Sequence, residues 1–246
     1  MDLFTPNRLV FIGLGGIGSW IVEPAIRYFK NCRKVLLIDG DVVEQKNLER
    51  QSFSSDVMNS YKAEALRRRL RSVFPHLVIE AHNVFIDATN VKRYLANNDV
   101  VLVSPDNHAA RRTVSKMVKT LDTVAVFTAG NELFDGSCHC YLRLMGVEMT
   151  KDFISRHPEA IDVGSTEREG CGALLDLGAV QLIAVNFLMA ALMLMAVHQT
   201  FKYGSPRSEK EAWSMLPQEL YGSILTGKVR TALINSHTPE EVAKCS

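Results

Sequence analysis

The chain has 246 residues, 47% of them hydrophobic, and can bury the core of one large α/β domain, with or without an appendage. Its 28 Lys and Arg residues nearly balance its 27 Asp and Glu residues, so net charge gives no argument for binding nucleic acid or an anionic membrane. The five cysteines contain no CxxC pair, and the N-terminus lacks the features of a signal peptide. We therefore expect a reduced, cytoplasmic protein.

Short apolar runs alternate with amphipathic segments over about the first 130 residues. The runs predict buried strands at residues 8–13, 34–39, 78–81, 99–104 and 123–129. The segments between them predict helices at residues 17–31, 60–74, 87–96 and 107–120. This alternation indicates βαβ units, and therefore a Rossmann-like, doubly wound α/β fold with a mostly parallel sheet.

The C-terminal half of the chain lacks this alternation. Residues 137–144 predict a further strand, which we expect to run antiparallel beside its predecessor, and residues 145–170 predict a loop. The residues after 202 are polar and contain two prolines in their first half. We accordingly divide the chain into a nucleotide-binding domain at residues 1–202 and a C-terminal extension at residues 203–246.

One long segment, residues 174–197, is apolar on all sides and nearly long enough to cross a bilayer. It contains Asp176, Gln181 and Asn186, whose polar side chains would be costly in lipid. An all-round apolar helix is also typical of a helix buried inside a protein. We therefore predict a helix packed between the sheet and a neighbouring element or partner subunit, and no membrane span.

A glycine-rich turn joins the first predicted strand to the first predicted helix, with the sequence Gly13-Leu14-Gly15-Gly16-Ile17-Gly18. Gly15 would let the backbone approach a phosphate, and Gly18 would let the helix pack closely on the strand. Asp39 follows at the end of the second strand, where nucleotide-binding folds hold ribose hydroxyls. A tight turn without a ligand is the alternative, and these residues alone would also fit an NAD-dependent oxidoreductase.

The loop after the second strand is dense in functional groups, with the sequence Asp39-Gly40-Asp41-Val42-Val43-Glu44-Gln45-Lys46-Asn47-Leu48-Glu49-Arg50-Gln51. It brings Asp41, Asn47 and Arg50 to the carboxyl end of the predicted sheet, where open α/β sheets bind ligands. Arg50 could contact a triphosphate through two parallel hydrogen bonds. A dehydrogenase has no use for so many phosphate-directed groups, although a solvated surface loop stays an alternative.

These two motifs, taken together, resemble the ThiF/MoeB and ubiquitin-activating enzyme superfamily. Two further matches are Lys62 in Tyr61-Lys62-Ala63 and the run Asp106-Asn107-(x)3-Arg111 after the fourth strand. The resemblance covers about residues 8–130. It implies an adenylating enzyme, in which a substrate carboxylate attacks the α-phosphorus of ATP and pyrophosphate leaves.

The resemblance also implies a role for each matching residue. Asp39 would hold the ribose, Asn47 would orient the nucleotide, and Asp106 would bind Mg²⁺. Arg50 and Lys62 would contact the phosphates. The remaining expected nucleotide contacts come from Gly13, Gly15, Gly16, Gly18, Asp41 and Asn107. The implied substrate is a ubiquitin-like β-grasp protein of the ThiS or MoaD type ending in Gly-Gly, and the implied assembly is a homodimer.

The sequence departs from this family in three places. Most bacterial members carry an N-terminal Arg that reaches the partner's ATP site, whereas here only Arg8 precedes the glycine turn and is expected at a strand edge. No structural zinc is expected, because Cys138-His139-Cys140 has the wrong spacing and predicts packing on one strand face. Cys171, between glycines, is expected either as an acyl-accepting nucleophile or as a structural cysteine.

Two other interpretations stay open at this point. The missing N-terminal Arg would fit a nucleotide-binding scaffold or partner subunit without turnover. An NAD-dependent oxidoreductase would leave Arg50, Lys62 and Asp106 unexplained. The basic run Arg67-Arg68-Arg69-Arg71 predicts a solvated helix face.

Overall fold

A computed structural model describes residues 3–158, 182–203 and 216–233 of the chain. These residues form one mixed sheet of nine strands, whose order is β3-β2-β1-β4-β5-β6-β8-β9 with β7 paired to β6. The strands are β1 (Arg8–Ile12), β2 (Lys34–Ile38), β3 (Val78–His82), β4 (Asp99–Val103), β5 (Val124–Asn131), β6 (Asp135–Leu144), β7 (Val147–Glu148), β8 (Pro217–Ser223) and β9 (Lys228–Leu233). Strands β1 to β5 are parallel, and β6 to β9 join them by antiparallel pairing. The α/β fold predicted from the sequence is confirmed.

Helices cover both faces of the sheet. The α-helices are α1 (Gly18–Tyr28), α2 (Lys62–Val73), α3 (His108–Val118), α4 (Phe153–Arg156) and α5 (Ile183–Tyr203). Alternate residues of β1 divide between two cores: Leu9 and Phe11 pack with α1, α2 and α5, while Val10 and Ile12 pack with α3. Burial on both faces explains why the central strands are continuous apolar runs in the sequence. The strand order reverses at β1 and β4, which opens a crevice at their carboxyl ends.

Helix α5 contains the described part of the long apolar helix predicted at residues 174–197, and residues 174–181 of that prediction lie outside the described residues. By length and composition residues 183–202 could span a membrane, but half of the most apolar window is buried within the protein. Met189, Met193 and Val197 are fully buried in the core that α5 shares with α1, β5, β6 and β8. Glycines allow the close approach, since a Cβ on Gly222 would lie 2.5 Å from a methyl carbon of Leu192. This packing is that of a core helix.

Two local predictions are wrong. Residues 87–96 do not form an α-helix, because the described structure there is a single 3₁₀ turn at Val91–Arg93. Asp87 accepts hydrogen bonds from the backbone N–H groups of Thr89 and Asn90, and such side-chain bonds compete with helix formation. The described part of the loop predicted at 145–170 contains β7 and also α4, which begins where Asp152 caps two backbone N–H groups. Residues 159–170 of that prediction lie outside the described residues.

The region predicted as a polar C-terminal extension contributes two strands, β8 and β9, to the same sheet. Glu219 on β8 is completely buried, and its carboxylate lies 3.0 Å from His157 Nε2 and 3.3 Å from Arg156 Nε. The Tyr221 hydroxyl donates to it at 2.6 Å. The register sets Glu219 opposite His139 of β6. The sheet therefore continues past residue 202, where the sequence predicted a boundary.

The buried His139 makes stability fall with acid. Burial lowers the pKa of His139 from 6.5 to about 4, although Glu219 opposes this shift and His157 and Asp152 also lie near. As the pH falls below 6.5, the unfolded chain gains this proton before the folded chain does, so stability drops by about 3 kcal/mol by pH 4. Glu219 adds a further loss below pH 4.5, because its hydrogen-bonded partners hold its pKa at about 2 against the burial that would raise it.

Chemical denaturation between pH 7 and 4.5 measures this effect. In His139→Gln the free energy of unfolding should fall by about 2–3 kcal/mol less over that range than in the parent. The exposed His76 serves as the matched control. In His76→Gln the free energy of unfolding should vary with pH as it does in the parent. An unchanged slope in His139→Gln would contradict the assignment.

Candidate nucleotide site

The carboxyl ends of β1, β2, β4 and β5 meet at one edge of the sheet. Gly13 follows β1 with a φ of +82°, and a Cβ there would lie 2.5 Å from the backbone N of Pro105 after β4. Ser104 Oγ donates to the Gly13 carbonyl at 2.9 Å, and the Gly13 N–H donates to the Ile38 carbonyl of β2 at 3.0 Å. Glycine is therefore required where three strand ends converge.

The other glycines of the turn face different neighbours. A Cβ on Gly18 would lie 1.9 Å from the Gly13 carbonyl oxygen, which is the close approach of helix to strand expected from the sequence. A Cβ on Gly16 would collide with the carboxamide of Asn186 at 2.7 Å. Among the described residues, a Cβ on Gly15 would meet only Gln51 Nε2, at an ordinary 3.7 Å, so these residues leave the space above Gly15 open.

Asp39 is buried beside the glycine turn. Its Oδ2 accepts from the Leu14 N–H at 2.6 Å, and its Oδ1 accepts from the Asp41 N–H at 2.8 Å. Burial raises the pKa of Asp39, while nearby Lys62 and the two backbone N–H groups oppose that rise. In the described structure Asp39 thus fixes the turn that starts the glycine loop, and its contact with ribose stays a prediction.

Asp41 and Lys62 form an ion pair at this edge. Lys62 Nζ lies 3.0 Å from Asp41 Oδ2, with the Lys62 side chain 6% and the Asp41 side chain 44% exposed. The Lys62 N–H also donates to the Asp41 carbonyl at 2.9 Å, which ties the start of α2 to the loop after β2. In the described structure Asp41 thus neutralises the Lys62 ammonium, so a contact of Lys62 with phosphates would require a ligand to displace or share this carboxylate and stays a prediction.

The polar loop from Asp39 to Gln51 is ordered by its own side chains. Asn47 is buried, and its Oδ1 accepts from the Glu44 N–H at 3.0 Å in a reciprocal cap of the 3₁₀ helix Gln45–Asn47. The Asn47 carbonyl then accepts from the N–H groups of Arg50 and Gln51. The described contacts of Asn47 hold the loop, so its contact with a nucleotide stays a prediction.

The loop after β4 carries Asp106 and Asn107. Asn107 Oδ1 caps α3 by accepting from the Ala110 N–H at 2.8 Å, whereas the Asp106 side chain is exposed. The Arg111 guanidinium donates to the carbonyls of Pro105 at 3.0 Å and Ala129 at 3.2 Å. Arg111 thereby locks this loop to β5 and leaves Asp106 at the rim of the crevice.

Arg8 and the cysteines of β6 have other roles in the fold. Arg8 stands at the amino end of β1, the opposite edge of the sheet, where it forms a two-bond ion pair with buried Asp99. Cys138 and Cys140 are buried in the core on one face of β6, and burial raises the pKa of Cys140 well above its ordinary value. Cys171 lies outside the described residues.

Comparison with known proteins decides the family, since the ThiF family model matches residues 4–199. The chain belongs to the ThiF family. It is 33% identical over 108 residues to a SAMP-activating enzyme E1 of Haloferax volcanii, covering 43% of this chain and 38% of that protein. It is 31% identical over 112 residues to the molybdopterin-synthase adenylyltransferase of Escherichia coli, covering 44% of this chain and 43% of that protein. The matches thus span less than half the length of these relatives.

A solved structure of this fold covers nearly the whole chain. E. coli MccB with ATP matches 96% of this chain and 66% of its own, with a TM-score of 0.67 and 21% sequence identity. At this identity the likeness concerns the fold alone. The family membership inferred from the glycine turn, the Arg50 loop, Lys62 and Asp106 is confirmed by the family match.

The sequence did not identify several residues that shape this ThiF-family site. Arg69, predicted on a solvated face, is half-buried and donates to the Ser52 carbonyl at 2.6 Å. Ser19 Oγ accepts from the Ser52 N–H at 3.0 Å. Asn186 of α5 donates to the Arg50 carbonyl at 3.0 Å. Asn186 had a signal, a polar residue in an apolar run, whereas the contacts of Arg69 depend on tertiary packing alone.

The described residues of the ThiF-family site fit a magnesium-bound triphosphate. The space over Gly15 is open, and buried Gln51 Oε1 beside it has no hydrogen-bond partner within the described ranges. No group of three or more His, Cys, Asp or Glu side chains in those ranges could hold a metal ion by itself. Mg²⁺ needs only one or two carboxylates when phosphate oxygens complete its shell, so a single exposed carboxylate such as that of Asp106 would be enough, and its role stays a prediction.

Proposed function

We propose that this chain uses ATP to adenylate the C-terminal carboxylate of a ubiquitin-like protein. The observation that carries the proposal is the convergence on one sheet edge of an open glycine turn with the Arg50 loop and the buried Lys62. Such an edge offers backbone N–H groups and positive charge to a polyphosphate. The two curated relatives are named as a SAMP-activating enzyme and an adenylyltransferase, which supports this activity.

Adenylation needs little covalent chemistry from the side chains of the protein. One oxygen of the substrate carboxylate forms a bond to the α-phosphorus, and the bond from that phosphorus to the bridging oxygen breaks. Pyrophosphate leaves with the electron pair. Arg50 and Lys62 neutralise the charge on the departing phosphates, and Mg²⁺ held at Asp106 would supply further charge neutralisation. The residues thus act by positioning and electrostatics.

The partner and assembly follow as parts of the proposal. The substrate is a small β-grasp protein of the ThiS or MoaD type that ends in Gly-Gly, and the enzyme is a cytoplasmic homodimer. A later transfer of the acyl group to Cys171 stays a prediction from the sequence. A Cys171→Ala variant that still forms a thiol-sensitive adduct with the substrate would contradict that transfer.

One observation favours a second candidate function, a nucleotide-binding subunit without turnover. Arg8 is engaged with Asp99 at the far edge of the sheet. It therefore does not supply the second phosphate-contacting Arg within its own chain. A scaffold would bind ATP without catalysing its reaction.

ATP–pyrophosphate exchange separates these functions. The purified chain is mixed with ATP, Mg²⁺, labelled pyrophosphate and candidate ubiquitin-like proteins, each beside a control lacking its two C-terminal glycines. Adenylation predicts label in ATP with an intact partner and none with its truncated control. ATP binding without exchange for any candidate would favour the scaffold, and binding of NAD in place of ATP would exclude both.

A further inference from the structure

The backbone carbonyl of Arg50 is held from two helices at once. Trp20 Nε1 on α1 donates to it at 3.2 Å, and Asn186 Nδ2 on α5 donates to it at 3.0 Å. The same carboxamide accepts through Oδ1 from Asn131 Nδ2, at the end of β5, at 3.0 Å. One side chain therefore joins α5 to the Arg50 loop and to the sheet.

Asn186 also lies directly against the glycine turn. A Cβ on Gly16 would lie 2.7 Å from Oδ1 and 2.8 Å from Nδ2 of Asn186, so glycine is needed for the carboxamide to fit. Asn186 is completely buried, as are Val185 and Met189 on the same helix. A buried amide with both ends hydrogen-bonded holds a single orientation. Loops after β1, β2 and β5 thus share one fixed contact.

We propose that Asn186 is a positioning residue, which sets the place of the Arg50 main chain relative to the glycine turn so that the guanidinium meets the phosphates. This inference rests on the proposed function, because that function assigns Arg50 to the phosphates of ATP. Asn186 acts through Arg50 and does not itself touch the nucleotide. A leucine at position 186 would keep the approximate shape of the side chain but remove its donor. Of the two donors to the Arg50 carbonyl described above, Trp20 would then remain.

A double-mutant cycle on ATP affinity tests the proposal. Asn186→Leu should raise the Kd for ATP roughly tenfold in the parent but less than about twofold in an Arg50→Ala background, where nothing is left to position. Thr200→Val is the matched control, since Thr200 is another buried polar residue on α5 and lies toward its opposite end. It should leave the Kd unchanged in both backgrounds.

Equal factors for Asn186→Leu in the two backgrounds would indicate a general structural effect and overturn the proposal. If Asn186→Leu does not fold, Trp20→Phe replaces it in the cycle. Trp20 is only partly buried and stacks on Phe187 with ring centroids 4.2 Å apart, so phenylalanine keeps the stacking and loses the donor. Because Trp20 and Asn186 donate to the same carbonyl, the same non-additivity is expected. Additivity would show that the contacts of this carbonyl do not position Arg50 and would overturn the proposal.

The proposed function and the positioning role of Asn186 can be disproved separately. A parent chain that binds no ATP would overturn the proposed function and this inference with it. A parent that binds ATP and exchanges pyrophosphate, but whose variants behave additively, would overturn only the positioning role.

Discussion

Asp106→Ala should lower the rate of ATP–pyrophosphate exchange by roughly 10²–10³-fold, the range found when one preorganised charge-stabilising group is removed from an active site. The proposed role of Asp106 is to hold Mg²⁺ beside the phosphates, where the negative charge on the leaving pyrophosphate develops. Because its side chain is exposed at the rim of the crevice, its removal leaves no cavity in the core. The loss should therefore appear in the exchange rate while the thermal midpoint stays that of the parent.

The control for this experiment is another exposed aspartate on the far side of the sheet. Asp122 precedes β5 at the amino edge, so Asp122→Ala removes the same charge without reaching the site. It should exchange pyrophosphate at the parent rate. If Asp106→Ala were as active as Asp122→Ala across a Mg²⁺ titration, Asp106 would not be the magnesium residue.

Alanine should lower stability strongly at Gly18 and hardly at all at Gly15. At Gly18 the new Cβ would lie 1.9 Å from the Gly13 carbonyl oxygen, so α1 must shift, and we expect a loss of about 3 kcal/mol in the free energy of unfolding. At Gly15 the Cβ would meet, in the part of the chain that the structure describes, only Gln51 at 3.7 Å, so stability should stay within about 0.5 kcal/mol of the parent. Urea denaturation measures both.

The same pair separates folding from binding. Gly15→Ala places a methyl group where a phosphate would approach the backbone, so it should weaken ATP binding at least tenfold, or about 1.4 kcal/mol, in a fully folded protein. Titration calorimetry with ATP gives the Kd. A Gly15→Ala protein that binds ATP as tightly as the parent would show that the nucleotide lies elsewhere.

The parallel half of the sheet could be predicted well from the sequence, because each central strand is buried on both faces and stays apolar along its length. The antiparallel half could be predicted only poorly. In the sequence Glu219 is typical of a surface residue, and its burial depends on partners that include His157 and Arg156, which are distant in sequence. The wrong helix at 87–96 has a local cause, since Asp87 and Asn90 favour turn hydrogen bonds that compete with a helix.

The candidate site shows the same division between local and distant information. The glycine spacing points to Gly15 and Gly18 because a backbone turn depends on neighbouring residues. The arrangement of Arg50 depends on Trp20 and Asn186, which are 30 and 136 residues away in sequence. No short sequence motif predicts contacts between residues so far apart. The sequence therefore predicts Arg50 as a site residue but does not predict its contacts with Trp20 and Asn186.

Helix α5 has a consequence for how the protein is made. A chain emerging from the ribosome presents the Arg50 loop well before α5, because Asn186 lies 136 residues after Arg50. Until then the faces of β5 and β6 that α5 covers are open to solvent, and exposed apolar surface of this kind attracts chaperones or other nascent chains. ATP can stabilise only the folded form to which it binds. The nucleotide would therefore act on the finished molecule, after the stage at which aggregation is most probable.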